Sequence, residues 1–132
     1  MTMNEGMRRD WKEGDAIVGF VAHTDIWWLS WLRPGFRHCF VLVKEADGWV
    51  LCDPLSHQTV VRRWPIPSGL GTLVWLHENG YRLAVTKVRE APKRMAPFRL
   101  YTCVESVKRV LGLHNRWILT PWQLFRYLIR QG

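Results

Sequence analysis

The sequence predicts an α+β fold: an antiparallel sheet of about five to six strands with two helices packed on it. Three observations predict it. Short apolar runs bounded by turn residues recur through the first two thirds of the chain. Glu45-Ala46-Asp47-Gly48 supplies turn chemistry between two such runs and closes a β-hairpin. Beyond Pro97 the apolar period becomes helical. With 132 residues, 48% of them hydrophobic, and nine tryptophans, the chain can bury one core but is too short to divide into two. The expected organisation is a polar lead-in over residues 1–13 and a single domain over 14–132.

The first strand opens at Gly14-Asp15 and runs to Val21. Asp25 then caps a short helix over Ile26 to Leu32, which Pro34 and Gly35 end. The hairpin places strands at 36–44 and 49–53, and Thr59 to Trp64 reads as a third strand before the Pro65-Ile66-Pro67 break. Strands at 72–77 and 81–88, flanking the Glu78-Asn79-Gly80 turn, are expected to extend the sheet. A polar link from Glu90 to Pro97 leads to a helix in which Val104, Val107 and Leu111 recur and Gly112 caps the end. The last helix begins at Thr120-Pro121-Trp122-Gln123, where Thr120 and Gln123 form a capping box and Pro121 suits the first turn. The sequence shows no internal repeats.

Nineteen Lys and Arg against eleven Asp and Glu give a net charge of +8. The charge is scattered, with arginines at 8, 9, 62, 63, 126 and 130 and lysines at 87, 93 and 108, and no nucleic-acid signature interleaves aromatics with them. A generally basic surface, able to meet an acidic partner, is preferred to specific nucleic-acid binding. Three cysteines with no CxxC pair indicate neither a disulfide framework nor a zinc knuckle and fit a reducing compartment. No secretory signal is visible before Trp11, and the densest apolar stretch, 26–32, is too short to span a bilayer. The expectation is a cytoplasmic chain that does not insert into a membrane, with export by another route left open.

Chemistry concentrates on His38, in the apolar strand Phe36-Arg37-His38-Cys39-Phe40-Val41-Leu42-Val43, and on Cys103 at a helix start. Alternation groups His38 with Phe36, Phe40 and Leu42. If the four-residue loop 45–48 closes the hairpin, Lys44 pairs with Trp49 and Phe40 with Asp53, which makes Asp53 a diagonal neighbour of His38. A two-residue Asp47-Gly48 loop would move Asp53 opposite Leu42 instead. A carboxylate beside an imidazole holds the ring and frees its other nitrogen to act as a base. A thiol in the first turn of a helix is biased toward the thiolate. At 100° per residue Cys103 shares a side with Val107 and Val110, the side expected to face the sheet. Its own amide could donate to an oxyanion.

These residues resemble the circularly permuted members of the NlpC-type cysteine peptidases and amidases, within the papain-like superfamily. Gly14-Asp15-Ala16-Ile17-Val18 is similar to the strand opening that precedes the histidine strand of that family, and Phe36 to Val43 to the histidine strand itself. The strand carrying Asp53 is similar to the one that supplies the orienting residue. In permuted members the cysteine helix follows the sheet, as Tyr101-Thr102-Cys103-Val104-Glu105-Ser106-Val107 does here. The resemblance covers about residues 14 to 112. It implies Cys103 as nucleophile, His38 as base and Asp53 as orienter, with His57 as the reserve for the third position, no cofactor, and a cell-wall peptide as substrate; a small basic chain of this kind would suit a phage-encoded protein.

The expected activity is therefore a thiol hydrolase of the amidase or peptidase class acting on a peptide or amide, with Trp27, Trp28 and Trp31 lining a substrate groove. Two other classes stand beside it: a catalytically silent domain of the same fold that binds a protein partner, and a basic nucleic-acid binder. Cys39 and Cys52 read as small hydrophobes. A metal site from His38, Cys39, Cys52 and His57 is disfavoured, because adjacent strand residues point to opposite faces.

Overall fold

A computed structural model of the chain describes residues 10–21, 38–54, 58–90, 103–115 and 117–131. Five strands, β1 (Asp15–Val21), β2 (His38–Glu45), β3 (Gly48–Pro54), β4 (Thr59–Arg63) and β5 (Arg82–Lys87), form one antiparallel sheet in the order β4-β3-β2-β1-β5. Three helices accompany it among the described residues: α1 (Gly69–Glu78), α2 (Cys103–Leu111) and α3 (Pro121–Gln131). The architecture is α+β. The proposed helix over 26–32 and the link beyond Glu90 lie outside the described residues. No helix among the described residues is long and apolar enough to cross a membrane.

The centre of the sheet is buried on both faces, which is why β1 is apolar almost without interruption, whereas the edge strand β4 is largely exposed. On one face Ala16, Val18, Phe20, Cys39, Val41 and Ala84 pack with Val104, Val107 and Leu111 of α2 and Leu124 and Leu128 of α3. On the other, Ile17, Phe40, Leu42 and Trp49 pack with Leu73 and Leu76 of α1. Trp11 extends this second core, edge-on to Trp49 at 5.2 Å. The result is a central sheet with α1 on one side and α2 and α3 on the other.

One expected strand is a helix. Residues 72–77 belong to α1, so the sheet has five strands and the segment covers its second face. Thr72-Leu73-Val74-Trp75-Leu76 is short and partly β-branched, and such a run reads equally as strand or helix. Its buried positions settle the period: Gly69, Thr72, Leu73 and Leu76 recur at helical spacing. The Ser68 side chain accepts from the Gly71 amide and caps the start. At the other end Gly80 N–H donates to the His77 carbonyl and Tyr81 N–H to the Leu76 carbonyl, and Gly80 takes φ 85°. This Schellman arrangement ends the helix and feeds β5 directly.

The remaining elements follow the sequence reading closely. The hairpin adopts the register with Lys44 opposite Trp49 and Val41 opposite Cys52, so the alternative that sets Asp53 against Leu42 is not used. The ladder closes one step further, at Glu45 and Gly48, leaving Ala46 and Asp47 as the turn. The start of α3 shows both arms of the capping box: Gln123 N–H donates to Thr120 Oγ1 at 3.2 Å, and Thr120 N–H donates to Gln123 Oε1 at 3.0 Å.

Candidate active site

Three side chains meet at one end of the sheet. His38 is the first residue of β2, Asp53 the next to last of β3 and Cys103 the first of α2. The β2–β3 ladder ends at Val41–Cys52, and the same register extended by one step sets Phe40 level with Asp53 and His38 diagonally across from the carboxylate. His38 Nε2 lies 2.7 Å from Asp53 Oδ1. The two side chains keep 15% and 26% of their exposure, so the pair is shielded without being sealed.

Cys103 reaches the pair from the α2 side. Together with Val110 it packs against the core cluster that contains Cys39 and Val107, as the helical side count expects. Alternation assigns His38 to the opposite face, with Phe40 and Leu42. Cys103 and the His38 ring nevertheless interact closely enough that each shifts the titration of the other. With Nε2 committed to Asp53, Nδ1 is the nitrogen left to face the sulfur.

The electrostatics follow from these contacts. Burial disfavours the charged ring, but the hydrogen bonds to Asp53 and Cys103 and the charges of both outweigh it and push His38 up to about 9. The Cys103 thiol is brought down to about 5. Hydrogen bonding from the Cys39 side chain contributes most, burial opposes it, and the His38 ring and the Cys39 amide add to the lowering. Between these two values Cys103 is a thiolate and His38 an imidazolium. Complete burial pushes Cys39 well above the ordinary thiol range, so it stays protonated and donates. Burial and the Asp53 charge likewise raise Cys52.

Cys39 is the residue that the sequence reading passed over as a small hydrophobe. It precedes Phe40 on the α2 face, directly beneath the helix that carries Cys103. The signal was its position next to His38 on the other face of the strand, which acquires meaning once the helix is known to cover that face. Trp27, Trp28, Trp31 and His57 lie outside the described residues. Among the described residues no group of three His, Cys, Asp or Glu converges as a metal site. A groove lined by Asp47, Trp49, Val61, Arg62 and Arg63 lies toward the turn end of the hairpin and includes neither His38 nor Asp53.

Compared with known proteins, the chain matches no family model, no curated protein sequence and no solved structure.

Proposed function

We propose that the chain is a thiol hydrolase of the amidase or peptidase class, arranged like the permuted NlpC-type enzymes that its sequence resembles. The observation that carries this reading is the 2.7 Å contact of Asp53 with the His38 ring, beside a Cys103 whose titration that ring helps to lower. Cys103 thiolate attacks the carbonyl carbon of an amide or ester, and the carbonyl oxygen takes up the negative charge. The Cys103 amide, at the start of α2, is a candidate donor to that oxygen. His38, already protonated, gives its proton to the leaving nitrogen or oxygen as the bond to carbon breaks, which leaves an acyl thioester. Neutral His38 then takes a proton from water, whose oxygen attacks the thioester. Carboxylic acid leaves and the thiolate–imidazolium pair is restored. Asp53 keeps the ring in one orientation and offsets its charge throughout.

A small activated ester such as p-nitrophenyl acetate tests the mechanism without knowledge of the natural substrate. The expected result is an acetyl group on Cys103, detectable by intact and peptide mass, with repeated turnover that Cys103→Ala and His38→Ala both abolish. Turnover unchanged in Cys103→Ala, together with iodoacetamide labelling of Cys103 no faster than that of Cys39 or Cys52, would sink the reading and leave a binding role for the fold.

A further inference from the structure

Two of the three cysteines in this chain share one core cluster. Cys39, fully buried on β2, belongs to the cluster beneath α2, and Cys103 at the start of α2 packs against that same cluster. Each thiol shifts the titration of the other, Cys39 upward and Cys103 downward. Cys103 retains partial exposure. The third thiol, Cys52, sits opposite Val41 one strand further out and feels Asp53 rather than Cys103. The juxtaposition is thus specific to one pair, with Cys103 partly exposed and Cys39 fully buried.

We propose that Cys103 is a site of reversible oxidation by hydroperoxides, with Cys39 as its resolving thiol, so that oxidation closes a Cys39–Cys103 disulfide. In the first step the Cys103 thiolate attacks the outer oxygen of the peroxide. A sulfur–oxygen bond forms, the oxygen–oxygen bond breaks, and the departing hydroxide or alkoxide takes up a proton. Cys103 is then a sulfenic acid, oxidised by two electrons, and the peroxide is reduced to water or an alcohol. In the second step the Cys39 sulfur attacks the sulfenic sulfur. The sulfur–sulfur bond forms, the sulfur–oxygen bond breaks, and hydroxide leaves with the Cys39 proton as water. The disulfide needs its sulfurs at about 2.05 Å, and the two side chains start from neighbouring places in one packed cluster.

The order of events follows from burial. Peroxide meets Cys103 first, because it is the exposed member and the one held as thiolate. Cys39 is too enclosed and too firmly protonated to react alone, yet it lies where a sulfenic acid on Cys103 would form. Resolution by Cys39 prevents further oxidation to the irreversible sulfinic acid, and a dithiol returns both residues to the reduced state by exchange. The inference stands on the packing of the two cysteines in one cluster and does not require the hydrolase reading.

The test uses the intact folded chain. Hydrogen peroxide is added, remaining thiols are blocked with N-ethylmaleimide in denaturant, and trypsin digestion is read by mass spectrometry without reduction. The expected product links the peptide His38 to Lys44 with the peptide Leu100 to Lys108, while Cys52 carries the maleimide. Dithiothreitol should restore a Cys103 that reacts with iodoacetamide at its original rate. In Cys39→Ala, or in Cys39→Ser where alanine impairs folding, Cys103 should instead accumulate sulfinic and sulfonic acids that dithiothreitol does not reverse. Linkage of Cys103 to Cys52, linkage between two chains, or sulfinic acid on Cys103 with Cys39 free in the unaltered chain would each overturn the proposal. None of those outcomes bears on ester turnover, which uses the reduced protein.

Discussion

Asp53 Oδ1 lies 2.7 Å from His38 Nε2, and that contact exists because the β2–β3 ladder sets Lys44 against Trp49. Shifting the pairing by one residue would turn the Asp53 side chain to the other face of the sheet. The carboxylate therefore decides which ring nitrogen faces Cys103, and it is one of the groups that hold His38 up to about 9. Asp53→Asn should return the His38 titration toward the ordinary range, as read by histidine proton resonances. Thiol-dependent ester turnover should fall by roughly 10²-fold or more. An unaltered His38 titration in this variant would mean that the contact does not govern the ring.

Cys103 reactivity should carry a distinctive pH profile. A thiol lowered to about 5 is protonated and slow below that value and a thiolate above it. Iodoacetamide labelling of Cys103 should accordingly rise through about pH 5 and be nearly flat by pH 7. Hydrolysis, which also needs the imidazolium, should rise through the same value and fall as His38 loses its proton near 9. Cys39 and Cys52, both raised, should label only in alkaline solution. A Cys103 profile rising only toward pH 9 would show that the thiolate is not stabilised.

Cys39 contributes most to that lowering. Cys39→Ala removes the thiol donor but keeps the backbone N–H, so the midpoint of Cys103 labelling should move up without returning to the value of a free thiol. His38→Ala should raise it as well, by removing both a donor and a positive charge. The double variant tests whether the two effects add, since groups on one sulfur are expected to couple. A Cys39→Ala midpoint identical to that of the unaltered chain would assign the stabilisation elsewhere.

The parts of the fold that proved legible are those written in local chemistry. Thr120 and Gln123 form their capping box within a single turn, and the turn residues 45–48 mark the hairpin. The same residues allow two registers, so the proximity of His38 and Asp53 could be read from the chain only as one of two alternatives, and the structure takes the one with Lys44 opposite Trp49. Helix α1 was not legible as a helix because Thr72 to Leu76 is too short and too β-branched for its period to stand out. Its Ser68 cap and the Gly80 exit were the signals available. The part played by Cys39 could not be read locally at all, since it depends on which face of the sheet α2 covers.

Gly19 occupies the middle of β1 directly opposite Phe40, whose ring lies over the place a β-carbon would take. A β-carbon there would come within 2.3 Å of the ring, and Phe40 is itself clamped edge-on against Tyr81 at 5.5 Å. Gly19→Ala should therefore displace Phe40 in the α1-side core and destabilise the fold by about 1–3 kcal/mol, the usual cost of overpacking. Urea unfolding measures it. The two-variant cycle with Phe40→Leu should recover part of the loss, because the smaller side chain leaves room for the methyl group; no recovery would place the strain outside this contact.

Lys108 is almost completely buried, and its ammonium donates to the Ile118 carbonyl at 3.0 Å and to Glu105 Oε2 at 3.3 Å. Glu105 also accepts from Arg109 Nε at 3.2 Å, so one carboxylate joins two cations on successive positions of α2. The contact to Ile118 ties α2 to the segment that enters α3, and both helices cover the face that holds Cys39. Lys108→Ala removes the ammonium from Glu105, deprives the Ile118 carbonyl of that donor and empties the space of the three stem carbons beyond Cβ. A loss of about 3 kcal/mol in unfolding free energy is expected, in the range for breaking a buried ion pair from one side. Lys108→Met keeps most of the stem's volume and should cost less than Lys108→Ala. Equal losses in the two variants would show that the charge and its hydrogen bonds, rather than packing, account for the whole effect; no loss in either would show that this link does not hold α2 and α3 together.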